Sequence, residues 1–282
     1  MSEECPVRSP ELTVLTTYRR TIEASIERVW ENVLDWEHLP WLHSSSFAGI
    51  ECTGAGPWGW RADLQYPGVT ERAKLELLID HDEGQYVSRV VSGPGAPSEI
   101  WTRLRSAGER STDIVVEFCS RVPEGVEPEQ MGQGYRGLYK QLWDEDEQMM
   151  QVRQAELDRR GSPLTTGDPV ECVELGSIEH VSASLPLDVD AFGARMRIAD
   201  VDGTWLLYPL ACPHWLGPLD ASPIEGGQVE CPWHGYRFDL NTGASCDGQH
   251  LRLTLPASLV IDRDTDRVCL VPENASSNAS RD

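Results

Sequence analysis

Cys212-Pro213-His214-Trp215-Leu216-Gly217-Pro218-Leu219 and Cys231-Pro232-Trp233-His234-Gly235-Tyr236-Arg237-Phe238-Asp239 decide how the rest of this chain is read. Each stretch supplies one thiolate and one imidazole, and sixteen residues separate His214 from Cys231. Four such donors on two loops make a metal site. Two Cys on one iron and two His on another form the ligand set of one type of [2Fe–2S] centre. Zinc also takes Cys and His at short spacing, and it stays as the alternative. Two Cys-x-x-Cys halves would be the commoner zinc pattern.

These segments resemble the two cluster-binding loops of oxygenase-type Rieske domains, and the resemblance extends over roughly residues 170–272. It implies one [2Fe–2S] cluster per chain, held by Cys212, His214, Cys231 and His234. Respiratory-chain Rieske proteins are membrane-anchored and carry an extra disulfide across the two loops. Here neither loop holds a further Cys pair.

With 282 residues, 40% of them hydrophobic and 25% charged, the composition reads as two globular domains. Met1-Ser2-Glu3-Glu4-Cys5 carries acids where a secretory signal needs basic and then apolar residues, and no run of eighteen apolar residues occurs. A cytoplasmic protein is expected. A net charge of −22 argues against nucleic acid or an anionic membrane surface as a partner. The six Cys outside the cluster loops, such as Cys52, Cys119 and Cys269, are expected to be buried free thiols in a reducing compartment.

Residues 1–10 read as a flexible start and 11–160 as an α+β domain. A strand over 12–23 precedes a helix capped by Ser25 and running to about Asp35, with Pro40 expected to break the chain soon after. Strands follow near 46–52, 58–66, 72–80 and 86–92, then two within 98–120 split at Ala107-Gly108, and a long helix over 130–159. Residues 161–169 have linker composition. An all-β domain over 170–272 follows, with strands near 171–175, 192–200, 203–210, 229–231, 236–239, 250–255, 258–262 and 267–271. A polar tail, 273–282, is expected to be disordered.

The order of strand, short helices, antiparallel meander and long closing helix resembles the START-like helix-grip fold of the SRPBCC superfamily, over most of residues 10–160. Such a fold leaves an apolar cavity for a small ligand. Within it, Glu31-Asn32 followed by Asp35, His38 and His43 resembles the mononuclear iron site of Rieske non-haem iron oxygenases. The resemblance implies His38 and His43 as Fe(II) ligands beside one carboxylate from a later helix, a triad that leaves positions free for oxygen. Five residues along a regular helix turn through roughly 500°, which sets the two side chains about 140° apart. Pro40 is therefore expected to break the helix between them and let His43 fold back, with Trp36 and Trp41 walling the site.

The carboxylate can be sought on the long helix from periodicity alone. Tyr135, Leu138, Tyr139, Leu142 and Met149 form one apolar face with Asp146 near its centre, Glu145 on its edge, and Asp144 and Glu147 pointing away. A carboxylate aimed into such a face needs a proton, a partner or a cation. The alternative is that residues 144–147 are a solvated acidic run. For Asp35 the family resemblance implies a bridge that carries electrons from a cluster-ligating His of a neighbouring subunit to an iron-ligating His, in a ring-like homo-oligomer, commonly a trimer. A solvated helix-terminal acid is the other reading of that residue.

The expectation is thus a Rieske-type non-haem iron oxygenase that hydroxylates or demethylates a small apolar substrate, using O₂ and electrons from a ferredoxin or flavin reductase. The domain order is reversed relative to the usual oxygenases, and the first domain is short for their catalytic part. The rival is a Rieske electron carrier or redox sensor whose START-like domain binds a ligand without metal.

Overall fold

A computed structural model describes residues 6–161 and 172–273. The predicted linker, apart from Gly161, and the predicted tail, apart from Glu273, lie outside the described residues. The chain forms two compact units, Met1–Gln151 and Val152–Asp282, whose boundary falls within the long helix.

In the first unit the elements are β1 (Thr13–Ile22), α1 (Ile26–Leu34), α2 (Leu39–Leu42), β2 (Gly49–Gly56), β3 (Gly59–Gln65), β4 (Ala73–Asp80), β5 (Gln85–Ser92), β6 (Ser98–Gly108), β7 (Ser111–Ser120) and α3 (Pro128–Gly161). All seven strands form one antiparallel sheet in the order β1-β7-β6-β5-β4-β3-β2. The strand before α1 pairs with the last strand of the meander, so α1 and α2 lie in the connection between the two edge strands, β1 and β2. This is a helix-grip fold.

Period-two alternation explains which face is covered: Trp60, Ala62 and Leu64 of β3 and Ile114, Val116 and Phe118 of β7 are buried. Phe118 stacks on Tyr135 of α3, ring centroids 5.2 Å apart, and meets Tyr139 edge-on at 4.7 Å. Close approach of α3 to β1 depends on Gly132, where a Cβ would lie 3.0 Å from the Thr16 Cβ and 3.1 Å from the Leu15 carbonyl. The indole N–H of Trp60 donates to the Val33 carbonyl at 3.1 Å. That bond fixes the end of α1, where the chain turns toward the two histidines.

The buried face of α3 is rotated slightly from the expected one. Leu142, Trp143, Asp146, Met149 and Met150 are buried, whereas Leu138 is exposed. The expected strand split at Ala107-Gly108 falls just after Gly108.

The second unit contains β8 (Val173–Gly176), α4 (Ile178–Ala183), β9 (Leu187–Ala191), β10 (Ala194–Val201), β11 (Thr204–Pro209), β12 (Ile224–Glu225), β13 (Gln228–Glu230), β14 (Arg237–Asp239), β15 (Ala257–Asp262) and β16 (Arg267–Pro272). They make three small antiparallel sheets, β11-β10-β9, β12-β13-β14 and β15-β16-β8. Beyond the end of α3, this unit's described body is all-β, apart from one short helix capped by the Ser177 side chain and a 3-10 turn at Leu219–Ala221. The expected strand at 250–255 is not formed. That segment keeps one bridge, Ala244 to Arg252, with Ser245 donating to the Leu251 carbonyl and Leu253 to the Gly243 carbonyl. Pro256 at its end cannot donate to a ladder.

Among the described residues no helix is long and apolar enough to cross a membrane. Among the described cysteines all are free. Cys119 is buried and Cys52 and Cys269 are half-buried as thiols packed into structure, but Cys172 and Cys246 are exposed, contrary to expectation.

Candidate metal centres

The first centre starts at the end of α1. Asp35 stops the helix in an extended conformation, and its carboxylate accepts from the Glu37 amide at 3.1 Å, turning the chain. His38 then precedes the four-residue helix α2 and His43 follows it, with the His43 amide donating to the Leu39 carbonyl. Pro40 lies in the first turn of α2, where its missing N–H costs nothing. The break is therefore at Asp35 and not at Pro40. The two histidines flank one short turn instead of lying either side of a kink. His43 leaves helical geometry (φ −107°, ψ 38°), and the rings approach to 5.2 Å between centroids, steeply inclined. Trp36 packs against the core, but Trp41 is exposed and walls nothing.

Asp146 meets them from α3. Its Oδ1 lies 3.1 Å from Nε2 of His43 and 3.5 Å from Nε2 of His38, and it accepts from Nδ2 of Asn32 at 3.0 Å. All three side chains are buried, His38 at 3%, His43 at 2% and Asp146 at 8% exposure. One ligand atom from each lies within 4.8 Å of the others, close enough to hold one metal ion.

Each imidazole has a carboxylate behind it as well. Nδ1 of His43 is 2.6 Å from Oε2 of Glu145, whose other oxygen accepts from Gln141 at 2.9 Å. Nδ1 of His38 is 3.4 Å from Oδ2 of Asp35. A proton held on Nδ1 by a carboxylate leaves Nε2 as the ligating atom, the arrangement common to metal-binding histidines. The Asp35 side chain is 7% exposed, so it is not a solvated helix-terminal acid.

Burial disfavours the charged form of His43, but its contacts with Asp146 and Glu145 outweigh that and hold its pKa above the ordinary value. Asp146 shows the converse: desolvation would raise it, yet His43, His38 and Asn32 hold it low. The two shifts agree in describing a charged pair. Asp144 and Glu147 point away, as expected, and both bind Arg20. Sequence reasoning placed Glu145 only on the edge of the face and gave Asn32 no role. Spacing could have found Glu145, since it neighbours Asp146, but its partner ring comes from a different element.

A cavity of about 220 Å³ opens beside this cluster, between the sheet and α3. Asn32, Asp35, His38, His43 and Asp146 form one part of its lining, and apolar and aromatic side chains form most of the rest.

In the second unit, two loops of the same design converge. The first follows β11: the Cys212 amide donates to the Gly217 carbonyl at 2.9 Å, and the Leu216 amide donates to the Cys212 carbonyl at 2.9 Å. The second connects β13 to β14: the Cys231 amide donates to the Tyr236 carbonyl at 2.8 Å, and the Gly235 amide to the Cys231 carbonyl at 2.9 Å. Each loop needs a left-handed residue four positions after its cysteine, Leu216 (φ 65°) and Gly235 (φ 69°). Bridging of Ala211 to Pro218 and the β13–β14 ladder close the two bases.

These loops bury both thiols completely and bring the rings of His214 and His234 to 4.5 Å between centroids, nearly perpendicular. The thiols contact each other. That contact lowers the pKa of Cys212 and, with burial, raises that of Cys231, as when two thiols share one proton. At Gly217 a Cβ would lie 2.7 Å from the Cys231 sulfur and 3.0 Å from Trp233, so only glycine leaves this wall open.

Comparison with known proteins agrees for this unit. A family model described as Rieske [2Fe-2S] domain matches residues 171–254, and both converging loops fall inside the match. Apoptosis-inducing factor 3 of Homo sapiens and that of Mus musculus are each 26% identical over 88 residues, 30% of this chain. The chain covers 14% of the length of these curated relatives. Similar solved structures include the ferredoxin of carbazole 1,9a-dioxygenase from Nocardioides aromaticivorans (20% identity, TM-score 0.31, 37% of this chain and 100% of that one). A START superfamily protein from Mycobacterium smegmatis is another (18% identity, TM-score 0.37, 50% and 97%). A norcoclaurine synthase point mutant from Thalictrum is a third (18% identity, TM-score 0.41, 51% and 96%). The chain thus carries a C-terminal Rieske domain, which implies a [2Fe–2S] cluster.

Proposed function

We propose that this chain is a Rieske-type non-haem iron oxygenase that hydroxylates or demethylates a small, mostly apolar substrate. The observation carrying this reading is the convergence of His38, His43 and Asp146 beside an apolar cavity, each imidazole with a carboxylate at its far nitrogen. When bound, a mononuclear Fe(II) at this trio supplies O₂ activation, and a [2Fe–2S] cluster at Cys212, His214, Cys231 and His234 relays electrons from a ferredoxin or flavin reductase.

The chain's own residues have separate tasks. His38, His43 and Asp146 offer two neutral donors and one anionic donor on one side, which leaves the cavity side open. Glu145 holds the Nδ1 proton of His43 and fixes that ring's orientation, and the Asp35 carboxylate lies 3.4 Å from Nδ1 of His38 without a hydrogen bond to it. Asn32 occupies a lone pair of Asp146 Oδ1 and so limits how that carboxylate can turn. Apolar walls exclude water and hold the substrate. Asp35 is also the residue through which a cluster histidine of a neighbouring subunit would be reached, in a ring-like homo-oligomer such as a trimer.

Iron analysis of anaerobically purified protein tests the reading. Three irons per chain are expected, and His38→Ala should lose one while keeping the paramagnetic signal of the reduced Rieske centre. Two irons per chain, unchanged in His38→Ala, would sink it.

One observation favours a second reading. Without metal, His43 is already satisfied at both nitrogens, by Glu145 and Asp146. A Rieske electron carrier or redox sensor with a metal-free ligand-binding domain would need no more, and the two-iron result would select it.

A further inference from the structure

The cavity's charge pattern is as specific as its shape. Among its described lining residues the only charged side chains besides the two histidines are Asp35 and Asp146; none is Lys or Arg. Arg89, between the lining residues Ser88 and Val90, is committed to the buried Glu99. A carboxylate, sulfonate or phosphate entering the cavity would lose its hydration with no Lys or Arg to replace it, beside two acids and two imidazoles already faced by Asp35, Glu145 and Asp146, in a chain of net charge −22.

What the lining does offer is flat rings and neutral hydroxyls. Phe47, Trp60 and four tyrosines, Tyr66, Tyr86, Tyr135 and Tyr139, contribute ring surface. Burial pushes the phenols of Tyr66, Tyr86 and Tyr139 above the ordinary value, and Tyr139 is raised further by Tyr86, Tyr135 and Tyr66 around it. These side chains line one cavity, and a protonated phenol there can donate to an acceptor on a guest. Ser88 and Ser98 add two small hydroxyls to the same lining.

We propose that the cavity takes an uncharged aromatic molecule bearing a hydrogen-bond-accepting oxygen or nitrogen, and that it rejects aromatic carboxylates. Aromatic walls favour a flat guest through offset and edge-on ring contacts. The phenols reward an ether, carbonyl or ring-nitrogen acceptor, which a bare hydrocarbon lacks. The inference rests on the oxygenase reading only where the guest is called the substrate, since binding itself requires no iron.

Equilibrium binding to the full-length, cluster-loaded protein tests this, with and without added Fe(II), using 2-methoxynaphthalene, naphthalene and 2-naphthoate at neutral pH. The methoxy compound should bind at one site per chain, naphthalene several-fold more weakly, and 2-naphthoate at least about 100-fold more weakly. Ser88→Lys, which adds a cation to the lining, should narrow the gap between naphthoate and methoxynaphthalene at least about tenfold. Naphthoate binding as tightly as the methoxy compound, or no binding of any of the three, overturns the proposal. If the neutral ligand binds but no third iron is found, the oxygenase reading fails and this one stands. If iron is present and the ligand preference is absent, only this one fails.

Discussion

Oε2 of Glu145 lies 2.6 Å from Nδ1 of His43, on the side of the ring opposite Asp146, whose Oδ1 lies 3.1 Å from Nε2. One imidazole is thus gripped at both nitrogens by adjacent residues of α3. The spacing orients His43 for a metal, and it also gives the ring a complete set of partners when no metal is bound.

Replacing Glu145 by Gln should weaken metal binding at the His38, His43 and Asp146 trio by about 10–100-fold, the usual cost of losing the group that orients a ligating histidine. Titration of metal-depleted protein with Fe(II) under anaerobic conditions measures it. The Rieske absorbance should not change, because Glu145 belongs to the other unit.

The charged pair makes the metal-free protein's stability depend on pH in a defined way. His43 has a raised pKa, so its contribution is fully present below the ordinary value of 6.5 and is lost as pH rises through the raised one. Asp146 has a lowered pKa, so its contribution is present above the ordinary value of 3.8 and is lost as pH falls through the lowered one. Thermal unfolding of metal-free protein should therefore show a decline on the alkaline side of 6.5 that Asp146→Asn reduces, Glu145 still holding part of it. Metal affinity should move the other way and rise with pH, because binding displaces the His43 proton.

Gly217→Ala should prevent most cluster assembly. A methyl group there meets the Cys231 sulfur at 2.7 Å and the Trp233 ring at 3.0 Å, and neither is a free side-chain end. Iron and acid-labile sulfide content give the readout. Gly134→Ala is the matched control: nothing lies within 4 Å of its Cβ, and removing a glycine from the exposed face of α3 should stabilise the helix by about 0.5–1 kcal/mol.

Pro40→Ala separates the expected cause of the chain reversal from the observed one. The turn is made by Asp35, and Pro40 merely occupies the first turn of α2. Metal affinity should be unchanged, and stability should fall by less than about 1 kcal/mol. A lost metal site in a folded Pro40→Ala protein would restore proline as the element that brings His43 back.

Much of the fold was legible because it is written in local chemistry. Period-two patterns separated by Tyr66-Pro67-Gly68 and similar turns give the meander, and Ser25 marks the start of α1. The segment 250–255 shows the limit: its apolar residues alternate like a strand, but strand formation needs a partner, and only one bridge is available. β9 was passed over for the reverse reason. Its Leu187-Asp188-Val189-Asp190 alternation is too short to stand out until β10 pairs with it.

By itself the sequence determined which residues could be donors: Cys and His at fixed offsets in two loops, two histidines after α1, and one carboxylate out of place on an apolar helix face. Those are properties of side-chain chemistry and of helical period, and neither needs the rest of the chain. Tertiary structure alone decided that Asn32, His38, His43 and Asp146 meet at one oxygen, that Glu145 and Asp35 stand behind the rings, and that no Lys or Arg is among the described residues lining the adjoining cavity. Apart from Asp35 and His38, which are three positions apart, these contacts join residues about a hundred positions apart, and the seven-stranded sheet and α3 bring them together. The loops around Cys212 and Cys231 lie between these extremes. Their donors are evident from spacing, but the opening that Gly217 leaves beside the Cys231 sulfur appears only when the two loops face each other.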